Sequence, residues 1–269
     1  MPTTAPHPTV ASATIKAKER KARRLTIIDS REDVAGRHSA NVCVVDLTAA
    51  LEGADPALPP RAEWIRRPSR PFARLCLLPG SFNPPTLAHV GLARSGRAAG
   101  LDAVAYVLSA RTVDKEVVTG IPLLDRLDLL LRLAADSDDG VLLLNRGLYV
   151  DIARAVTEVT SASLTFLVGF DKIVQILDPR YYDDRDAALR DLFGLARILV
   201  APRADTSFAD IDDLMAQPAN VRYREFVGPL DLEPGLRAMS STRVRRGAAE
   251  DTPAIVRDYL RTNPIFAQG

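Results

Sequence analysis

Leu77-Leu78-Pro79-Gly80-Ser81-Phe82-Asn83-Pro84-Pro85-Thr86-Leu87-Ala88-His89 runs from a short apolar strand, through a Gly/Asn/Pro turn, to a histidine at the start of a helix. That order gathers backbone N–H groups, a helix N-terminus and an imidazole around one point. Free N–H groups at a helix N-terminus make a ready phosphate site, so the pattern suggests a nucleotide site before any fold is assigned. Gly80 permits close backbone approach, Pro84 and Pro85 stiffen the turn, and Thr86 is placed to cap the helix. Taken alone, a histidine in a first helical turn more often packs or caps than catalyses.

Outward from this stretch the chain alternates strand and helix. Strands are expected at 73–78, 103–108, 141–144, 164–168, 196–200 and 222–227. Helices are expected at 87–99, 122–135, 150–159, 172–177, 186–193, 208–215, 241–246 and 253–261. The strands between 73 and 200 are apolar runs without alternation, as in strands covered on both faces. Repeated β-α-β order with such strands predicts an α/β fold: a doubly wound, Rossmann-like open sheet, mainly parallel, with helices on both faces. Ligands of such sheets bind at the carboxyl ends of the strands, where the opening stretch lies.

Residues 1–70 read as an N-terminal extension and 71–269 as the main domain. Residues 1–13 are Pro/Thr/Ala-rich and read as disordered. Lys16, Lys18, Arg20, Lys21, Arg23 and Arg24 form a basic run with no interleaved aromatics, which fits a solvated segment better than a nucleic-acid arm. Leu25-Thr26-Ile27-Ile28 and Val42-Cys43-Val44-Val45 read as two short strands, and 55–71, with Trp64, as an irregular connection.

The 35 Lys and Arg balance 34 Asp and Glu, which gives no reason to expect nucleic acid or an anionic membrane as partner. Two cysteines, Cys43 and Cys76, form neither a disulfide framework nor a metal-site spacing. No apolar run reaches membrane-spanning length and no signal-peptide core is seen, so a cytoplasmic protein is expected.

Three further clusters stand at strand ends. Met239-Ser240-Ser241-Thr242-Arg243-Val244-Arg245 offers hydroxyls, N–H groups and fixed positive charge, a candidate triphosphate cradle that taken alone reads better as a plain N-cap with surface arginines. In Val168-Gly169-Phe170-Asp171 a carboxylate follows a glycine, placed to accept from ribose or base groups or to cap the next helix. Arg203 follows Val200-Ala201-Pro202.

Together these residues resemble the nucleotidyltransferase superfamily with (H/T)-x-G-H and I-S-S-T-x-x-R signatures. Within it the chain is most similar to nicotinamide/nicotinate mononucleotide adenylyltransferases reading G-S-F-N-P-x-T-x-x-H. The matching residues are Gly80, Ser81, Phe82, Asn83, Pro84, Thr86 and His89, then Ser240, Ser241, Thr242 and Arg245, with Gly169 and Asp171 for the G-x-D element. Ala88 stands where (H/T)-x-G-H has glycine, Met239 replaces isoleucine, and Asp178-Pro179-Arg180-Tyr181-Tyr182 stands where the family usually has a tryptophan.

The resemblance implies in-line attack of an acceptor phosphate on the α-phosphorus of ATP, with release of pyrophosphate and Mg²⁺ bridging phosphate oxygens. It assigns catalysis to His89 and Arg245. Nucleotide binding falls to Gly80, Ser81, Phe82, Thr86, Gly169, Asp171, Arg203, Ser240, Ser241 and Thr242. The mononucleotide acceptor is expected near 109–126, through Lys115 or Arg126, with Tyr181 or Tyr182 stacking on its base. Two alternatives stay open: cytidylyl or adenylyl transfer to another phosphorylated acceptor, and a catalytically silent nucleotide binder. A homo-oligomer is also left open.

Overall fold

The computed structural model describes residues 24–32, 38–46, 54–110 and 120–263. The expected disorder at 1–13, the basic residues before Arg24, and Lys115 with the rest of 111–119 lie outside the described residues.

Strands β1 (Arg24–Glu32) and β2 (His38–Asp46) pair antiparallel from Arg24↔Asp46 to Glu32↔His38. They are the two strands expected from the Leu25 and Val42 runs, and they form a separate two-stranded sheet.

The main sheet has seven strands: β3 (Ala62–Arg66), β4 (Arg74–Gly80), β5 (Ala103–Ser109), β6 (Gly140–Leu144), β7 (Ser163–Gly169), β8 (Ala196–Ala201) and β9 (Val227–Pro229). Their spatial order is β3-β6-β5-β4-β7-β8-β9. Every pairing is parallel except β3 with β6. The helices are α1 (Leu87–Ala98), α2 (Leu123–Ala135), α3 (Tyr149–Thr157), α4 (Phe170–Leu177), α5 (Arg185–Leu195), α6 (Phe208–Ala216), α7 (Ser241–Arg245) and α8 (Ala254–Thr262).

The apolar runs become two-sided strands because both faces are covered. Leu75 and Leu77 join Val107, Phe166 and Val168 in one core layer, against Ala153 and Val156 of α3 and Leu189 and Leu192 of α5. Cys76 and Leu78 join Val104, Tyr106, Leu108 and Leu167 in the other, against Ala93 of α1 and Leu127 and Leu130 of α2. Each fully buried leucine or phenylalanine contributes about 1.5–3 kcal/mol of burial. Helix α1 lies close on the sheet because Gly96 faces it: a Cβ there would stand 2.7 Å from Cys76 Sγ and from a Leu167 methyl.

Two expectations are corrected. Within 55–71, the supposed irregular connection, β3 is an edge strand, so the sheet takes its first strand from residues upstream of 71. Edge strands tolerate the polar and charged residues that hid it. Trp64 on this strand packs on Phe72 at 6.2 Å and donates from Nε1 to the Val159 carbonyl. The strand expected at 222–227 is instead a 3₁₀ segment, Val221–Phe226, followed by the short β9. Tyr223 and Phe226 both stack on Phe193, at 5.1 and 5.5 Å. Positions i and i+3 share a face in a 3₁₀ turn but oppose each other in a strand.

From β4 the chain proceeds outward to β5 and β6, then returns to the other side of β4 for β7, β8 and β9. The crevice of such a sheet opens where the order reverses, at the carboxyl ends of β4 and β7. No helix among the described residues is long and apolar enough to cross a membrane.

Candidate active site

The turn after β4 is built around Phe82. Its backbone adopts φ 45°, a region unfavourable for a bulky residue, and the Asn83–Pro84 peptide is cis. Burial holds the Phe82 backbone there: the ring is fully buried, 5.7 Å from the Tyr106 ring in a T-shaped contact and 4.9 Å from the His89 imidazole. The ring also lies under Gly80, where an added Cβ would come 3.0 Å from Phe82 Cζ.

Thr86, fully buried, is the N-cap of α1. Its N–H donates to His89 Nδ1 at 3.0 Å, and its hydroxyl is 2.8 Å from the same nitrogen. His89 takes the place that glutamate holds in a capping box. Because Nδ1 accepts from a backbone N–H, the neutral ring carries its proton on Nε2. Burial, and then the charge of Arg203, lower the His89 pKa to about 4. The imidazole is therefore a neutral donor near pH 7.

The second signature docks onto the first. Ser241 Oγ donates to the Pro84 carbonyl at 2.7 Å, and Arg245 Nη1 donates to the Asn83 carbonyl at 2.6 Å. Arg245 Nη2 also reaches Thr242 Oγ1 at 3.1 Å, and Ser240 Oγ caps α7 by accepting from the Arg243 N–H. Asn83 is a junction: 3 % exposed, its Oδ1 also accepts from the Ile121 N–H at 2.9 Å.

Between these parts lies a cleft of about 170 Å³. Its walls bring together Gly80, Ser81, Thr86, His89, Gly169, Asp171, Arg203, Ser240 and Ser241, nine of the expected site residues, from four separate stretches of chain. Arg203 Nε lies 3.9 Å from Asp171 Oδ1, and its Nη1 donates to the Met239 carbonyl at 3.3 Å. Gly169 makes room for that pair, since a Cβ there would stand 2.8 Å from Asp171 Oδ1. Leu78, Leu92, Leu167, Ala201, Pro202 and Leu232 form an apolar side. Ala88, where the resembled signature has glycine, also lines the cleft.

Several expected residues stand outside the lining. Phe82, Thr242 and Arg245 support it from behind through the contacts above. Arg126 is buried and donates to the Ser81 carbonyl at 2.6 Å. Tyr181 packs with Arg180, and the Tyr182 hydroxyl donates to the Ile176 carbonyl at 2.7 Å.

Sequence reasoning missed Tyr149 and Lys172, and it matched Asn83 to the signature without giving it a role. Tyr149 is the aromatic of the cleft wall, held edge-on to Phe166 at 5.0 Å, and burial raises its pKa. It follows a strand end as the other clusters do, but its apolar neighbours made it look like core. Lys172, on the cleft wall, contacts Gln175 Oε1 at 2.7 Å. Among the described residues no group of three or more His, Cys, Asp or Glu forms a metal cage.

A Schizosaccharomyces pombe protein named "Putative nicotinamide mononucleotide adenylyltransferase" is 29% identical over 135 residues, covering 47% of this chain and 52% of that protein. The match thus spans about half the length of that curated relative. A solved Vibrio parahaemolyticus structure, described as "a Putative Nicotinate-nucleotide Adenylyltransferase", is 14% identical with a TM-score of 0.42, covering 72% of this chain and 96% of its own. The cytidylyltransferase-like family model matches residues 77–247, from the last residues of β4 to just beyond α7, and the chain belongs to that cytidylyltransferase-like family.

Proposed function

We propose that this protein transfers an adenylyl group from ATP to the phosphate of a mononucleotide, releasing pyrophosphate, with a pyridine mononucleotide as the acceptor. A phosphate oxygen of the acceptor forms a bond to the α-phosphorus. The bond from that phosphorus to its bridging oxygen breaks, and the electron pair leaves with pyrophosphate. No enzyme nucleophile is needed, so the protein's work is positioning and charge stabilisation.

The observation that carries the reading is the docking of Ser241 and Arg245 onto Asn83 and Pro84, which joins the two signatures around one cleft. In this reading His89 donates from Nε2 to the reacting phosphates, and the N–H groups at Gly80–Ser81 and at the start of α1 face the same charge. Ser240, Ser241 and Arg203 receive the leaving phosphates, while Arg245, bonded to Thr242 and to the Asn83 carbonyl, ties α7 to the turn. Gly169 and Asp171 border the nucleoside. Tyr149, rather than Tyr181 or Tyr182, is the aromatic that borders the acceptor base.

Asp171 is the one carboxylate among the described cleft residues. That donor set suits Mg²⁺ held mainly by phosphate oxygens, with Asp171 the protein group nearest in chemistry, and the ion would supply neutralisation of phosphate charge.

A second reading, nucleotidyl transfer to another phosphorylated acceptor, is favoured by one observation. The only tryptophan, Trp64, packs on the edge strand, so no indole borders the cleft. The test is pyrophosphate release from Mg²⁺ with ATP or CTP and each acceptor in turn. NAD formation from nicotinamide mononucleotide and ATP supports the first reading. Release only with another acceptor supports the second, and nucleotide binding without release under any pairing overturns both.

A further inference from the structure

Asn83 stands between the two halves of the site and does not line the cleft. It is buried, and it takes one bond from each side. Its main-chain carbonyl accepts from Arg245 Nη1 at 2.6 Å, on the α7 side, where the proposed reaction places the leaving pyrophosphate. Its side-chain Oδ1 accepts from the Ile121 N–H at 2.9 Å, at the approach to α2, the side on which the acceptor is expected. The two donors lie 162 and 38 positions away along the chain.

The approach to α2 is shaped for this contact. Gly120 has φ 111°, and a Cβ there would stand 2.6 Å from Asn83 Oδ1 and 2.9 Å from Nδ2. Glycine alone lets the backbone come that close to the amide in that conformation. Ile121 is a fixed post, because it is 2 % exposed and packs with Leu129 of α2 and Val256 of α8. The contacts close a ring. Asn83 holds α7 through Arg245, and α7 holds the buried Asp251 through Arg243 at 2.9 Å. From Asp251 the chain runs on to α8, whose Val256 backs Ile121, and Ile121 returns to Asn83. Packing and hydrogen bonds of this kind, one step behind the groups that meet a substrate, are what fix those groups in register.

We propose that Asn83 is a positioning residue: its side-chain amide registers the α2 side of the cleft against the α7 side that its carbonyl holds, and it touches neither substrate. The proposal rests on nucleotidyl transfer as the reaction. In-line transfer needs the acceptor oxygen, the α-phosphorus and the leaving oxygen on one line. A shift of one half against the other therefore lowers turnover more than it weakens the binding of either substrate alone.

The experiment measures turnover, and calorimetric binding of ATP and of nicotinamide mononucleotide, for the wild type, Asn83→Ala, Asn83→Asp and Gly120→Ala. Asn83→Ala removes the acceptor of the Ile121 N–H and leaves the carbonyl that Arg245 uses. It is expected to lower turnover by roughly ten- to a hundred-fold, the effect of a small misplacement of reacting groups, with each dissociation constant kept within about three-fold. Gly120→Ala presses on the same amide from the α2 side and is expected to show the same split. Asn83→Asp keeps an oxygen for the Ile121 N–H and is expected to recover most of the lost turnover. Should Asn83→Ala fail to fold, Asn83→Asp against Gly120→Ala decides in the same way. Wild-type turnover in Asn83→Ala, equal loss of turnover and of both affinities, or an Asn83→Asp no better than Asn83→Ala would each overturn the proposal. A second reading, independent of turnover, uses Mg²⁺ with α,β-methylene-ATP, in which carbon replaces the bridging oxygen and pyrophosphate cannot leave. With this analogue bound, mononucleotide binding is expected to tighten about five-fold or more in the wild type and less than about two-fold in Asn83→Ala. No tightening in the wild type overturns the proposal. Tightening that depends on Asn83, without pyrophosphate release from ATP under any pairing, would sink the proposed reaction and leave the role of Asn83 standing.

Discussion

The two signature segments look equivalent on the page of sequence but are built in opposite ways. Gly80–His89 is anchored inward: Phe82 and Thr86 are fully buried, and the His89 ring is clamped by the Thr86 backbone. Ser240–Arg245 is a five-residue helix, Ser241–Arg245, with its N-cap, and the only buried residue of the helix is Val244. Its position comes from two side-chain bonds to the first segment, at Pro84 and Asn83, and from the ion pair of Arg243 with the buried Asp251. One segment is a rigid template and the other is fitted to it. The cleft thus has one wall set by core packing and one by a few hydrogen bonds.

That contrast makes predictions of decreasing size. Phe82→Ala removes the anchor of the template and is expected to lower stability by about 3–5 kcal/mol, measured by denaturant unfolding. A loss below about 1 kcal/mol would mean that the turn does not depend on its core contact. His89→Ala leaves the fold in place and is expected to reduce turnover on the order of a hundred-fold or more, as for loss of a transition-state charge contact; near-normal turnover would remove His89 from the chemistry. Ser241→Ala cuts one of the two bonds that tie α7 to the first segment and is expected to cost about 1 kcal/mol, with a rise in KM for ATP and little change in unfolding cooperativity.

The acid profile sharpens the same contrast. The His89 pKa is depressed from 6.5 to about 4 in the folded protein, so the unfolded chain takes up the proton first. The stability due to neutral His89 is therefore present above pH 6.5 and lost as pH falls from there toward about 4. Turnover is expected to show no acid limb near pH 6.5. A limb at that pH, absent in His89→Gln, would mean that the imidazole titrates near its ordinary value and is not held neutral by burial.

Much of the fold was legible because its strands are two-sided apolar runs, a pattern that local sequence displays directly. The edges were less legible. Strand β3 carries Glu63 and Arg66 and lies among prolines, and Tyr223 and Phe226 lie at an i,i+3 spacing dictated by Phe193, more than 25 residues earlier. In the site, the strand-end rule located Gly80, His89, Gly169, Asp171, Arg203 and Ser241. It passed over Tyr149, embedded in an apolar run, and matched Asn83 to the signature without revealing that Arg245 and the Ile121 N–H both bond to it.

The sequence by itself determined the layered α/β sheet and the phosphate-ready turn after its central strand, because periodicity, helix capping and turn chemistry act over a few neighbouring residues. Only the tertiary structure decided which signature residues face the cleft and which brace it, that His89 is a neutral Nε2 donor, and that Arg126 is buried and bonded to the Ser81 carbonyl. Burial, dielectric and pairing across 45 to 162 residues of chain are properties of the packed molecule, and no local pattern encodes them.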